Sequence, residues 1–131
     1  MKNNVDALLQ KPYWIIDILP EQVPRESKGQ FFEIERFFLE SSRLTSIKQK
    51  HVNVLLKLNC YYQLSIEGEV NPSPERIVED VMERSVQIRA DEAMILSEPD
   101  ELHMTVYNPD EKLMKLITAI SSGEGLFVWK P

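Results

Sequence analysis

Apolar residues recur along the chain in two periods, and the changes between them mark the elements. In residues 44–58, Leu44, Ile47, His51, Leu55 and Leu58 line one stripe at helical spacing, with Val54 adjacent. Val52 and Leu56 widen this arc to more than half the circumference, so the helix needs cover on two sides. Its remaining face carries Arg43, Ser46, Lys50, Asn53 and Lys57. The period then changes to two. Cys60, Tyr62, Leu64 and Ile66 alternate with Tyr61, Gln63, Ser65 and Glu67, which predicts a strand over 61–67.

The same reading extends to both ends. Residues 5–10 form a helical turn closed by Pro12, residues 13–19 a strand of aromatic and β-branched residues, and residues 20–29 a loop with two prolines. Residues 30–40 fit either period. A helix is chosen because Glu33 and Arg36 then fall together, opposite Phe31, Ile34 and Phe38. Ser73 before Pro74 is a capped helix start, and Ile77, Val78, Val81 and Met82 make that helix's buried face. Strands are predicted at 86–90, 93–97 and 102–107, with a Glu-Pro-Asp-Glu turn at 98–101. Asn108, Pro109, Asp110 and Glu111 open a last helix with Leu113, Leu116, Ile117 and Ile120 inward. Gly123 stops it, and Gly125 frees a strand at 126–129.

From Tyr61 onward the main elements read strand, helix, strand, strand, helix, strand, the order of a split βαβ, ferredoxin-like sandwich. The expected fold is therefore α+β: a mainly antiparallel sheet of about five strands with a ferredoxin-like C-terminal half. Residues 1–131 form one domain, in which 1–59 supply a strand and a helical extension and 60–131 the βαββαβ core. That fold hosts many unrelated functions, so it names no activity.

Charge narrows the classes. The net charge is −6, but residues 1–65 hold nine basic and seven acidic groups (+2) and residues 66–131 six basic and fourteen acidic groups (−8). The acidic half argues against nucleic-acid binding, which needs basic groups to displace counterions from phosphate. The predicted strand at 102–107 has neither the glycine nor the basic residues of an RNA-recognition strand. Glycines stand apart at 29, 68, 123 and 125, so no phosphate-cradling loop is present. Residues 1–11 are polar and lack the apolar stretch of a signal peptide, and Asp17 interrupts the strongest apolar run, so no membrane association and a cytoplasmic location are expected. The single cysteine, Cys60, excludes an internal disulfide and a multi-cysteine zinc site; no cofactor or metal is expected, and Cys60 reads as structural.

Three segments, 11–20 (KPYWIIDILP), 55–62 (LLKLNCYY) and 125–131 (GLFVWKP), together resemble an uncharacterised family of small bacterial proteins. The resemblance spans most of the chain and implies a bacterial, cytoplasmic, single-domain protein. Its motifs are not catalytic signatures, and no functional residue is carried over.

Candidate chemistry concentrates on one sheet face. In a split βαβ sandwich both crossover helices cover the same face. Parity turns Tyr61, Gln63, His103, Thr105, Tyr107, Phe127 and Trp129 toward the other, mixing rings with hydrogen-bonding groups as a recognition surface does. Residues 30–58 folding back over that face are the favoured cover; a ligand, a protein partner or a second copy is the alternative. His103 lies beside Glu98, Asp100 and Glu101, the residue types of a general base. A solvated acidic turn is the simpler account. His51, within the apolar stripe, is expected to be a core histidine with one backbone hydrogen bond. Arg43, Lys50 and Lys57 share a helical face, expected to be solvated. With no catalytic constellation, the expected function is a non-enzymatic binding or protein-interaction module, as a homodimer or with another protein. The alternative is a small-metabolite enzyme using His103 with the carboxylates of the 98–101 turn.

Overall fold

A computed structural model describes residues 4–131, so the first three residues of the polar N-terminal stretch lie outside the described residues. Seven strands form one antiparallel sheet, β1 (Tyr13–Asp17), β2 (Leu64–Ile66), β3 (Glu69–Val70), β4 (Val86–Ala90), β5 (Ala93–Ser97), β6 (Met104–Tyr107) and β7 (Phe127–Trp129), in the order β3-β2-β4-β5-β6-β1-β7. The helices are α1 (Asn4–Leu8), α2 (Phe31–Phe38), α3 (Ser41–Leu58), α4 (Pro74–Glu83) and α5 (Glu111–Gly123).

The α+β class and the antiparallel sheet are as the residue pattern predicts; the ferredoxin-like pairing is not what the sheet adopts. β2 pairs with β3 and β4, and β4, β5 and β6 follow as a meander. The strand predicted as an N-terminal addition is an inner one. β1 lies between β6 and β7, pairing Trp14 with Val106 and Ile16 with both Met104 and Val128. The physical reason is that Trp14 and Ile16 share parity and supply core surface that β6 and β7 would otherwise leave open between them.

One sheet face carries the core. Ile16, Leu64, Ile66, Val86, Ile88, Ala90, Ala93, Ile95, Met104 and Val106 meet Val52, Val54, Leu55 and Leu58 of α3, Ile77 and Val81 of α4, and Leu113, Met114 and Ile117 of α5. α3 packs between α4 and α5, which explains its broad apolar arc. The expected fold-back of residues 30–58 onto the second face therefore does not occur for α3. Fully burying one such Leu or Ile side chain contributes roughly 1.5–3 kcal/mol.

Local signals set the helix boundaries. Ser73 Oγ accepts from the Arg76 N–H at 3.1 Å, with Pro74 in the first turn. Asp110, rather than the expected Asn108, caps α5, its Oδ1 accepting from Leu113 N at 2.8 Å. Asn108 adopts φ 58° and donates its side-chain amide to Glu92 O at 3.0 Å, tying two loops together. The strand predicted over 61–67 is shorter because Glu67 (φ 51°) and Gly68 (φ 83°) make a two-residue turn into β3.

Candidate functional site

The register shows which predicted residues share the second face. One cross-strand row runs Tyr13, Tyr107, Met94, Arg89, Ser65, and a second runs Trp129, Ile15, Thr105, Leu96, Gln87. A third sets Phe127 beside Asp17, and continuing the β1–β6 register by one residue sets His103 on the other side of Asp17. The structure thus brings His103, Thr105, Tyr107, Phe127 and Trp129 together. Tyr61 and Gln63 depart from them. They lie in the turn after α3 and line a hollow against Lys112, Lys115 and Leu116 of α5, on the helical side. Parity failed there because the strand begins only at Leu64, and alternation has no meaning in a turn.

The second face is covered in two patches. Val5 of α1 shares a depression with Gln87 and Arg89, and Leu8 and Met94 are buried. At the other end, Phe31, Ile34 and Glu35 of α2 face Asp17, Ile18, Leu102 and His103 across a cleft. Tyr13 and Tyr107 lie with ring centroids 5.5 Å apart and their planes tilted by 43°, and Phe127 stays exposed.

Beneath α2 is a cleft of about 220 Å³ lined by Asp17, Ile18, Leu19, Phe31, Ile34, Glu35, Leu102 and His103. Asp17 ends β1, and its Oδ1 accepts from the Ile18 N–H at 2.7 Å. Partial burial pushes the Asp17 carboxyl up, while the Ile18 N–H and nearby His103 oppose the rise. The buried indole N–H of Trp129 leans on the same carboxylate without closing a hydrogen bond of normal geometry. His103 Nδ1 stands 3.6 Å from Glu101 Oε1, beyond hydrogen-bond range, with both side chains substantially in water. Larger hollows of about 670 and 870 Å³ flank α5, and both are more open to solvent than the cleft beneath α2.

Behind the 98–102 turn lies a buried polar cluster that the pattern did not reveal. Lys48 of α3 is 2% exposed, and its Nζ donates to Glu98 O at 2.7 Å and Ser97 Oγ at 3.2 Å. Burial lowers its pKa to about 8 against the attraction of Glu101, Glu98 and Asp100. One turn on, His51 is fully buried, as expected of a core histidine, but the expected backbone bond is not closed. Leu102 backbone comes near, yet among the described residues neither ring nitrogen has a partner of normal geometry. Burial, then Lys48 and His103, hold its pKa down at about 3. The Ser97–Lys48 pair has the composition of a Ser–Lys nucleophile dyad. Ser97 is fully buried, however, and neither residue lines the cleft, so the pair serves to anchor the turn. Lys48 could have been found in the sequence: it lies three residues before His51 and four after Leu44, within the apolar stripe.

The basic row of α3 is not a freely solvated face. Asn53 and Lys57 bond the two carboxylate oxygens of Glu124 at 3.0 and 2.5 Å, which holds that carboxyl below its usual range, and Arg43 bonds Phe37 O at 2.7 Å. Cys60 is exposed. Among the described residues no group of three or more His, Cys, Asp or Glu is placed to hold a metal, and no helix is long and apolar enough to cross a membrane.

Comparison with protein-family models, with curated proteins and with solved structures gives no match.

Proposed function

We propose that the protein is a non-enzymatic interaction module of the bacterial cytoplasm that engages another protein through α2 and the cleft beneath it. One observation carries this reading. α2 has five apolar residues among eight and none is buried; Phe32 is 79% exposed, Phe37 48% and Ile34 42%. Exposed aromatics gathered on one short helix support an interaction site, because they offer large contact area at low entropic cost. Arg43 stacks over Phe37 at 3.6 Å and holds the patch in place. A net charge of −6 makes two copies repel and favours a basic partner over a homodimer.

The reading is tested by placing a photocrosslinking residue at position 32 in cells. The expected result is a discrete adduct to a protein other than itself, lost in Phe37→Glu. An adduct pattern no different from that of a probe at Glu79, on the exposed side of α4, refutes it.

A second reading, a small-metabolite enzyme using His103 with the 98–101 turn, draws support from the Glu101–His103 approach at 3.6 Å. It requires His103→Ala to abolish turnover of a substrate that leaves the crosslink at position 32 unaffected.

A further inference from the structure

We propose that the cleft beneath α2 receives a lysine side chain of the partner, its ammonium against Asp17 and its methylenes between Ile18, Phe31, Ile34 and Leu102. The inference rests on the interaction reading above and names the chemistry at its centre.

Size excludes most alternatives. A cleft of about 220 Å³ equals roughly seven water volumes, below the roughly 300–1,000 Å³ of sites for drug-sized ligands. It fits one side chain, not a nucleotide or an organic cofactor. Charge selects the sign. Among the described lining residues, Asp17 and Glu35 are acids, His103 is the one basic group, and none is Lys or Arg. Asp17 is partly desolvated, so a countercharge replaces hydration it has already lost. Hydrogen bonding selects ammonium over guanidinium. Ile18 N–H already occupies Oδ1, so a bidentate fork would have to share that oxygen. A compact ammonium needs only one. Apolar walls suit the rest, since a lysine buries its stem along apolar surface. The exposed aromatics Phe32 and Phe37, on the same helix that walls the cleft, favour a protein-borne lysine over a free amine.

The test follows backbone amides of the ¹⁵N-labelled full chain by NMR with n-butylammonium as probe. Saturable shifts at Ile18, Leu19 and His103 are expected, with Kd on the order of 1–10 mM for so small a ligand. n-Butanol should bind roughly tenfold more weakly, the value of one charge-assisted hydrogen bond. Asp17→Asn should remove that preference. Glu35→Lys, a change on the helix that leaves the sheet intact, should abolish binding by supplying its own ammonium. Equal binding of butanol, full binding by either variant, or no saturation at about 100 mM overturns the proposal. Should position 32 crosslink while the ammonium fails to bind, the ligand chemistry is wrong and the interaction reading stands. If the ammonium binds and no adduct forms, the cleft takes a free amine and the partner-lysine assignment falls.

Discussion

Replacing Lys48 with methionine isolates the electrostatic cost of one buried amine. In the folded chain its pKa falls from 10.5 to about 8, because burial outweighs the pull of Glu101, Glu98 and Asp100. Between those two values the unfolded chain holds a proton that the folded chain has released. Stability therefore rises with pH across that window and is lost as pH falls from 10.5 to about 8. Below the window the full penalty is present, about 3 kcal/mol at one pKa unit per 1.36 kcal/mol. Lys48→Met removes that penalty but leaves Ser97 Oγ and Glu98 O without their donor, at a cost of about 1–3 kcal/mol each. The net change at pH 7 is therefore small, and the slope is the clean readout. Urea unfolding of both proteins at several pH values from 7 to 11 gives their difference, in which the other titrating groups largely cancel. That difference should move in favour of the wild type by a little over 1 kcal/mol per pH unit between about 8 and 10. A difference independent of pH would show that Lys48 titrates as it does in water, and the desolvation reasoning would fail.

His51 should produce the acid-side counterpart: with its folded pKa lowered to about 3, stability falls as pH drops from 6.5 toward 3, and His51→Leu should flatten that part of the acid-unfolding curve. Because Lys48 repels a protonated His51, Lys48→Met should also shift the acid transition to lower stability loss, measured by the same titration. Asp80→Asn should cost roughly 1–2 kcal/mol in urea unfolding at pH 7, since the 7%-exposed carboxylate accepts from Arg76 Nε at 3.0 Å and Arg84 Nε at 2.9 Å, discounted because both arginines reach water. Arg84 and Arg76 lower the pKa of Asp80, so this contribution is present at neutral pH and disappears as pH falls through its folded value; the two proteins should converge in strong acid. Gly68→Ala should cost about 1 kcal/mol through its φ of 83° alone, as nothing crowds the added methyl group, and thermal unfolding will report it.

α4 and α5 were legible in the sequence because their starts are encoded within four residues, by Ser73-Pro74 and by the run 108–111, although the cap in that run is Asp110. α2 was legible through the placement of Glu33 and Arg36. The position of β1 was not. Tyr13, Trp14 and Ile15 announce a strand, but nothing within the strand says that its neighbours are residues 104–107 and 127–129. Pairing is chosen by the whole core, and local pattern carries only its period. The candidate site divides the same way. Thr105, Tyr107, Phe127 and Trp129 follow from alternation within true strands, and His103 continues the count one residue before β6. Tyr61 and Gln63 do not, because the turn before β2 breaks the count. Asp17 and Lys48 escaped notice for a different reason: a charged side chain reads as solvated until tertiary packing removes its water.

The place of β1 between β6 and β7 also sets an order of events. Among the described residues β7 pairs with β1 alone, and their partners Ile15 and Trp129 lie more than a hundred residues apart in sequence. An early strand must therefore wait for one made much later. During synthesis the sheet can assemble as far as β6 and β1, but its final edge closes only after residues 127–129 leave the ribosome. Contacts of such sequence separation slow folding, because the loop-closure entropy is lost before the pairing compensates it. Until then Ile16 and the backbone groups of β1 form an unpaired edge, open to pairing with other chains.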